Sequence, residues 1–123
     1  NDVALKEGYR MVESEKLKAN LQEVIEKAKK ITSYLYIISI LPVASAIDGI
    51  TVPSGKQRSN KIIEEYNQLL QDFAVQHGIV FIDLYHSFFT EKDILLSGDG
   101  VHPNDKGYQF IAEHIKPFIE RFL

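Results

Sequence analysis

Residues 97–110 contain the side chains best suited to chemistry in this chain of 123 residues. Their sequence, SGDGVHPNDKGYQF, places Asp99 three residues before His102 on a stretch bracketed by glycines. A carboxylate and an imidazole at this spacing can form a hydrogen bond, and an oriented imidazole is the usual general base of hydrolytic enzymes. The segment therefore predicts an Asp–His pair on a loop, and such a base requires a nucleophile to activate.

Other acidic and histidine side chains nearby have alternative uses. Asp105 follows His102 by three residues, so a metal site with the spacing D-x-x-H-x-x-D is one alternative. We favour a structural role for Asp105, because negative charge stabilises the first turn of a helix. His86 follows a predicted strand and is a candidate for lining a cleft, whereas Asp83 at the end of that strand is expected to hydrogen-bond loop backbone.

The composition excludes several classes of protein. A hydrophobic fraction of 45% and a charged fraction of 25% are typical of soluble globular proteins. The net charge of -3 argues against a nucleic-acid partner, which favours a basic face. The absence of cysteine excludes disulfides, thiolate metal sites and cysteine nucleophiles, and no apolar stretch approaches the roughly 18 residues needed to span a bilayer. Composition does not assign the protein to a compartment.

Three helices are predicted from apolar residues at helical spacing. The first covers residues 13–30 with Ser14 as its cap, the second ends at Gly78, and the third begins at Asn104. The residues expected to face the core are Leu17, Leu21, Val24, Ile25, Ala28 and Ile31 in the first helix, Ile62, Ile63, Tyr66, Leu69, Leu70 and Phe73 in the second, and Tyr108, Ile111, Ile115, Ile119 and Phe122 in the third.

Two apolar runs, residues 34–41 and 79–84, predict strands covered on both faces, as in a parallel sheet. Strands joined by helices require parallel crossovers, so the predicted class is α/β with helices on both faces of the sheet. A strand as apolar as 34–41 belongs inside a larger sheet. We therefore expect the chain to be the C-terminal part of a doubly wound domain, and its free strand edge predicts self-association.

The segment 44–55 has the composition of a loop and follows the first strand. Ligands of α/β proteins bind at the carboxyl ends of strands. The apolar candidates for a substrate wall are Ala46, Ile47, Ile50 and Val52. Packing of the loop accounts for these residues equally well, so the substrate-binding residues are not assigned.

Residues 99–104, D-G-V-H-P-N, together with IVFIDLY before them and GYQFIAEHI after them, resemble the last conserved block of the SGNH, or GDSL-type, hydrolases. These are serine esterases and lipases with a flavodoxin-like three-layer α/β/α fold around a parallel sheet. The resemblance implies that residues 1–123 are the C-terminal part of one such domain, without its N-terminal strands. It also implies that His102 is the catalytic base, that Asp99 orients it, and that no cofactor or metal is required.

The first two residues, Asn1 and Asp2, resemble the end of the family's third block, Gly-x-Asn-Asp, whose asparagine donates to the oxyanion. The resemblance implies that Asn1 is an oxyanion-hole residue and that the chain begins inside this block. The family's nucleophile belongs to an upstream Gly-Asp-Ser block, which this sequence lacks. No such turn contains any of the eight serines, which are Ser14, Ser33, Ser39, Ser45, Ser54, Ser59, Ser87 and Ser97.

The function implied by the resemblance is hydrolysis of an ester, either an acetyl or other acyl ester, a lysolipid or a carbohydrate ester. Because the serine lies upstream, the chain alone is expected to be inactive. The expected partner is an ester substrate, with neither nucleic acid nor a transmembrane segment involved. The alternative is a non-catalytic α/β binding or assembly module that retains the hydrolase-like loop. An upstream Gly-Asp-Ser block favours the enzyme, and its natural absence favours the module.

Overall fold

A computed structural model describes residues 3–122 of the chain, so the oxyanion-hole prediction for Asn1 lies outside the described residues. In chain order the elements are β1 (Leu5–Lys6), β2 (Tyr9–Arg10), α1 (Ser14–Lys29), β3 (Tyr36–Ile38), β4 (Lys56–Gln57), α2 (Asn60–His77), β5 (Val80–Ile82), α3 (Leu84–Phe89), α4 (Lys92–Leu95) and α5 (Asp105–Ile119). Short 3-10 turns lie at Ser45–Ile47 and Glu120–Phe122. No helix in this described range combines the length and apolar character needed to cross a membrane.

The central sheet consists of β3 and β5, which pair in parallel with Ile37 opposite Phe81. Ile37 faces the core cluster shared with α1 and α2. Tyr36 contacts α5 on the opposite face of the sheet, since its hydroxyl donates to the carbonyl of Phe118 at 3.0 Å. The predicted α/β class with helices on both faces of a parallel sheet is therefore confirmed.

Both strands are shorter than the apolar runs predict. The run 34–41 is a strand only at Tyr36–Ile38, where β5 supplies hydrogen-bond partners. Beyond it, two asparagines of α2 replace a neighbouring strand. Asn67 accepts from the N–H of Ile40 at 2.7 Å and donates to its carbonyl at 2.9 Å. Asn60 makes the corresponding bonds to Val43 at 2.8 and 3.1 Å. Buried backbone groups therefore remain paired, as they must be.

The second helix has the predicted core face and the predicted end. Of the six predicted core residues, Ile63, Tyr66, Leu70 and Phe73 are buried, whereas Ile62 and Leu69 are half-buried. Gly78 ends it in the left-handed region at φ 64, a conformation that favours glycine. These features depend on spacing and caps within one segment, which is why the sequence predicts them well.

The first helix differs from its prediction at its cap and on part of its apolar face. Helix α1 begins at Ser14 itself, and Glu13 occupies the cap position without a side-chain cap bond. Ile25 is buried, but Val24 and Ile31 are exposed. Ile31 lies beyond the last helical residue, and the described elements cover only the face of α1 that contains Ile25.

The last helix begins as predicted, because Asn104 accepts a hydrogen bond from the N–H of Gly107 at 3.0 Å. The predicted burial of Tyr108, Ile119 and Phe122 is wrong, since all three are exposed. Helix α5 packs against α3 and α4 near its start and against β3 near its end. Ile111 and Ile115 are half-buried, and Phe122 keeps a ring contact with Tyr34 although it is exposed.

Two regions have more regular structure than the sequence predicts. The stretch between β5 and the Asp–His motif contains the short helices α3 and α4. Strands β1, β2 and β4 form a small antiparallel sheet in which β1 is central. This sheet joins the start of the chain to the segment just before α2.

Candidate active site

The predicted Asp–His pair lies on a tight loop, residues 97–103, named here the Asp99 loop. Its two ends are joined by a hydrogen bond from the N–H of Ser97 to the carbonyl of His102 at 2.7 Å. The N–H of Gly100 donates to the carbonyl of Ser97 at 2.9 Å, and Gly100 has φ 70. A residue with a side chain rarely adopts this conformation, so glycine permits the turn.

Asp99 and His102 form the predicted hydrogen bond, with Nδ1 of His102 2.5 Å from Oδ2 of Asp99. Oδ1 of Asp99 accepts three further bonds, from the Ser97 hydroxyl and from the N–H groups of Val101 and His102, at 2.8–2.9 Å. The bonds from His102, then those from Val101 and Ser97, hold the pKa of Asp99 well below its usual range.

This arrangement orients the imidazole rather than stabilising the fold strongly. The side chains of His102 and Asp99 are 73% and 51% exposed, and solvent screens exposed ion pairs. Because the carboxylate binds Nδ1, Nε2 is the ring nitrogen left for proton transfer. Such a geometry suits a general base, because it favours the tautomer with its proton on Nδ1.

Helices α4 and α5 hold the C-terminal end of the Asp99 loop. Asn104, besides capping α5, donates to the carbonyls of Ile94 and Leu96 at 2.8 and 3.1 Å. Gly107 allows the close approach of the two helices, since a Cβ there would lie 2.2 Å from the carbonyl oxygen of Leu95. The helix start that follows His102 therefore anchors the loop that contains this residue.

The 3-10 turn Ser45–Ile47 supports the other side of the loop. The N–H of Ala44 donates to the carbonyl of Gly100 at 2.9 Å. Ser45 donates to Asp93 through both its N–H and its hydroxyl at 2.7 Å. Lys92 donates to the same hydroxyl at 2.9 Å. The bonds from Ser45 lower the pKa of Asp93. Sequence reasoning missed this network, because its partners lie 47–48 residues apart.

An open cavity of about 410 Å³, named here the Asp99 cavity, contains both members of the pair. Its other lining residues are Ile47, Val52, Pro53, Arg58, Gly98 and Val101. Two of the predicted wall residues, Ile47 and Val52, therefore lie beside the pair. Ala46 and Ile50 are not among the lining residues, and Ile50 is exposed.

A larger groove of about 450 Å³ lies between α1 and α2, away from the Asp–His pair. Its walls include Lys18 and Asp72, and it shares no lining residue with the Asp99 cavity. The volume of a cavity therefore does not identify the candidate site. The Asp99 cavity is the candidate because it contains the oriented imidazole of His102.

A second Asp–His pair is present where the sequence predicts only a structural aspartate. Oδ2 of Asp83 lies 2.5 Å from Nδ1 of His86, and Oδ1 accepts from the N–H of His86 at 3.2 Å. Asp83 is the N-cap of α3, which agrees with the expected bonding to backbone. His86 lines a separate cavity of about 210 Å³. The sequence D-L-Y-H places Asp83 three residues before His86, the same spacing as between Asp99 and His102, and this spacing could have indicated the second pair.

Within residues 3–122 no hydroxyl group hydrogen-bonds the His102 imidazole, whose partner in that range is Asp99. The hydroxyl of Ser97 donates to Asp99 instead, at 2.8 Å. Asp105 does not complete a metal site, because the described residues contain no group of three or more metal-ligating side chains of the His, Cys, Asp or Glu type.

Comparison with known proteins relates this sequence to lipases and esterases. Residues 1–110 match the GDSL-like lipase/acylhydrolase family. The GDSL lipase Rv0518 of Mycobacterium tuberculosis is 42% identical over 47 residues, which are 37% of this chain and 20% of that protein. An acetylxylan esterase of Xylanibacter ruminicola is 34% identical over 68 residues, 55% of this chain and 14% of that protein.

The fold is also found among solved structures. A lipase/acylhydrolase from Enterococcus faecalis superposes with a TM-score of 0.76 at 22% identity, over 93% of this chain and 55% of that one. This chain thus spans little more than half of that structure and a smaller share of the two proteins above. The family match covers most of the sequence and the fold agrees with it, so the chain belongs to the GDSL-like lipase/acylhydrolase family.

Proposed function

We propose that the protein is an ester hydrolase in which His102 is the general base and Asp99 orients it. One observation carries the proposal, namely the bond of 2.5 Å between Asp99 and Nδ1 of His102 on a loop braced from both sides. Four hydrogen bonds fix the carboxylate, so the imidazole has one preferred tautomer. The family to which the chain belongs supports the same reaction.

In the proposed reaction a serine from the upstream part of the protein attacks the ester carbonyl. Nε2 of His102 removes the hydroxyl proton as the new carbon–oxygen bond forms, and then returns it to the departing alcohol. Asp99 stabilises the imidazolium between these steps. We assign Asn1 as a donor to the oxyanion, a contribution worth about 3 kcal/mol of the barrier in comparable sites. Water then hydrolyses the acyl-enzyme by the same proton transfers.

The proposed substrate is an acetyl or other acyl ester, a lysolipid or a carbohydrate ester. Relatives named as a GDSL lipase and an acetylxylan esterase support this range. The Asp99 cavity has apolar walls at Ile47, Val52 and Pro53, which suit a short acyl or alkyl group beside the base.

The decisive experiment compares this chain with the same chain extended through its natural upstream sequence. Hydrolysis of p-nitrophenyl acetate is measured for both. We expect activity only in the extended protein, a loss of at least about a thousandfold with His102→Gln, and a smaller loss with Asp99→Asn. His86→Gln is the matched control, because His86 is paired in the same geometry outside the Asp99 cavity.

Three outcomes would contradict parts of this proposal. Turnover by the short chain that depends on His102 would place the nucleophile within residues 1–123. Loss of activity with His86→Gln and not with His102→Gln would transfer the role of base to the second pair. No turnover of acetyl, longer acyl or acetylated sugar esters by the extended protein would favour the non-catalytic binding module.

A further inference from the structure

Asp93 closes a ring of contacts around the Asp99 loop, and the proposed reaction does not use this carboxylate. Helix α4, which contains Asp93, accepts two hydrogen bonds from Asn104 directly after the loop. Gly100, here called the apex of the loop, accepts a bond from the N–H of Ala44 through its carbonyl. The next residue, Ser45, donates two hydrogen bonds to Asp93. The loop is therefore held to α4 at two points, and the second depends on Asp93.

We propose that Asp93 is a positioning residue for the Asp–His pair, acting through Ser45 and the apex of the Asp99 loop. The inference rests on the proposed ester hydrolysis and adds to it a residue that fixes the place of the base. The loop must hold Nε2 of His102 where it meets the hydroxyl that it deprotonates. A displacement of about 1 Å at such a point can reduce the rate about a hundredfold, so a hydrogen bond remote from the base affects the reaction.

The contact between Ser45 and Asp93 has two fixed points. Oδ1 of Asp93 accepts from the N–H of Ser45 and Oδ2 accepts from its hydroxyl, both at 2.7 Å. Nζ of Lys92 donates to the same hydroxyl at 2.9 Å, so the single hydroxyl proton is directed to Asp93. The side chain of Lys92 is itself held, because it is 12% exposed and its Nζ lies 4.6 Å from the centre of the Phe89 ring. These bonds fix the orientation of the turn relative to α4.

The turn that begins at Ser45 packs directly against the apex of the loop. A Cβ at Gly100 would lie 3.0 Å from Cδ1 of Ile47 and 3.2 Å from Cβ of Ala44. Segments packed this closely transmit a shift of one to the other. Ile47 also lines the Asp99 cavity. A displaced turn would therefore move both the apex of the loop and one wall of the cavity.

The first measurement is hydrogen exchange in this chain, followed by NMR, and it requires no nucleophile. Asp93→Ala should speed exchange of the Ala44 amide at least about tenfold, because the turn that holds its bond to the loop is released. The Ile40 amide, which is bonded to Asn67 of α2, should not change. Glu91→Ala is the control, since it removes a negative charge from the same segment and Glu91 makes no side-chain cap bond.

The second measurement is hydrolysis of p-nitrophenyl acetate by the extended protein, calculated per folded molecule. Asp93→Ala should lower kcat about tenfold and leave KM within about threefold, because the base is displaced while the acetyl group touches little of the cavity wall. Asp93→Asn keeps one acceptor oxygen for the N–H of Ser45, and Ser45→Ala keeps that N–H, so each should lower kcat only about threefold. Combining Asp93→Ala with Ser45→Ala should add no further loss, since both remove one contact.

An active extended protein whose kcat does not change with Asp93→Ala would overturn the proposal, even if exchange at Ala44 became faster. Unchanged exchange at Ala44 would also overturn it, as would an equal loss of kcat with Glu91→Ala. If Asp93→Ala does not fold, Asp93→Asn and Ser45→Ala decide by the same criteria. An inactive wild-type extended protein would instead refute the proposed function, and the positioning role would fall with that reaction. The two failures are distinguishable because only the first requires an active wild type.

Discussion

Asp99 and Asp83 each precede a histidine by three residues, and each lies 2.5 Å from its Nδ1. They differ in the remaining bonds of the carboxylate. Asp83 otherwise accepts from backbone as the cap of α3, whereas Asp99 accepts from a hydroxyl and two N–H groups within one loop. Spacing alone therefore does not distinguish the two aspartates, whereas the number and origin of their hydrogen-bond donors do.

The low pKa of Asp99 predicts a pH-dependent contribution to stability. A carboxyl whose pKa falls on folding stabilises the native state above its unfolded pKa of about 4. That contribution is lost as the pH falls through the folded-state pKa. Asp99→Asn should therefore be less stable at pH 7, by about 1 kcal/mol at this exposed site, and should converge with the wild type in acid.

Urea unfolding at several pH values between neutral and strongly acid measures this difference. A gap between wild type and Asp99→Asn that stays constant across the range would show that the amide disturbs the loop by packing. Circular dichroism of both proteins at pH 7 provides the control for an unchanged fold.

The contact between Gly107 of α5 and the end of α4 leaves no room for a side chain, and this predicts the effect of adding a single methyl group. An added Cβ would lie 2.2 Å from the carbonyl oxygen of Leu95 and 2.9 Å from Cβ of Pro103. Gly107→Ala should therefore separate α5 from α4 at a cost of about 1–3 kcal/mol in unfolding free energy. Gly98→Ala is the matched control, since a Cβ there meets nothing within 4 Å. Equal stability of the two variants in urea would contradict the close contact.

At the scale of elements, the predictable parts of the fold are those encoded within one segment. Helix α2 has its apolar core face and its C-terminal Gly78 where the sequence predicts them, because both depend on the spacing of residues within the helix. The length of β3 depends on its partners, and the exposure of Tyr108 depends on which elements cover α5. Which side chains of a helix are covered depends on residues distant in sequence. The spacing of apolar residues alone therefore overestimates how many of them are buried.

The same distinction applies to the candidate site. The Asp–His pair was predictable because the two residues are three apart and share one loop. The hydrogen bonds that support the loop from neighbouring segments were not predictable, since the bond between Ser45 and Asp93 joins residues 48 positions apart. Arg58 lines the cavity although it lies 39 residues before the start of the loop, and no local pattern indicates that position.

The asparagines of α2 provide a test at this scale. Asn67→Leu removes both bonds to Ile40 and leaves a backbone N–H and carbonyl without these partners. We expect a loss of about 2–3 kcal/mol in unfolding free energy and faster hydrogen exchange at the Ile40 amide. Gln68→Leu, on the exposed side of the same helix, should change neither quantity strongly. Unchanged protection of the Ile40 amide would show that the side chain does not hold the segment.

At the scale of the whole molecule, the parallel sheet is small for the apolar surface around it. Within the described residues β3 and β5 pair only with each other, so each strand has an outer edge without a strand partner. Exposed apolar side chains lie on or beside these strands, at Tyr34, Ile38 and Val80. Unprotected edges of this kind promote pairing between copies of a chain.

The prediction at this scale is that the chain associates with itself through the edge and face of β3. Ile38→Lys should weaken association, because a charged side chain at a position 42% exposed on β3 opposes strand pairing while remaining hydrated. Val75→Lys is the control, since Val75 is 75% exposed but lies on α2. Sedimentation velocity over a wide range of concentrations should show concentration-dependent association for the wild type and Val75→Lys, and much less for Ile38→Lys. A wild-type chain that remains monomeric throughout would contradict the prediction, and equal weakening by both lysines would attribute association to general surface hydrophobicity rather than to this strand.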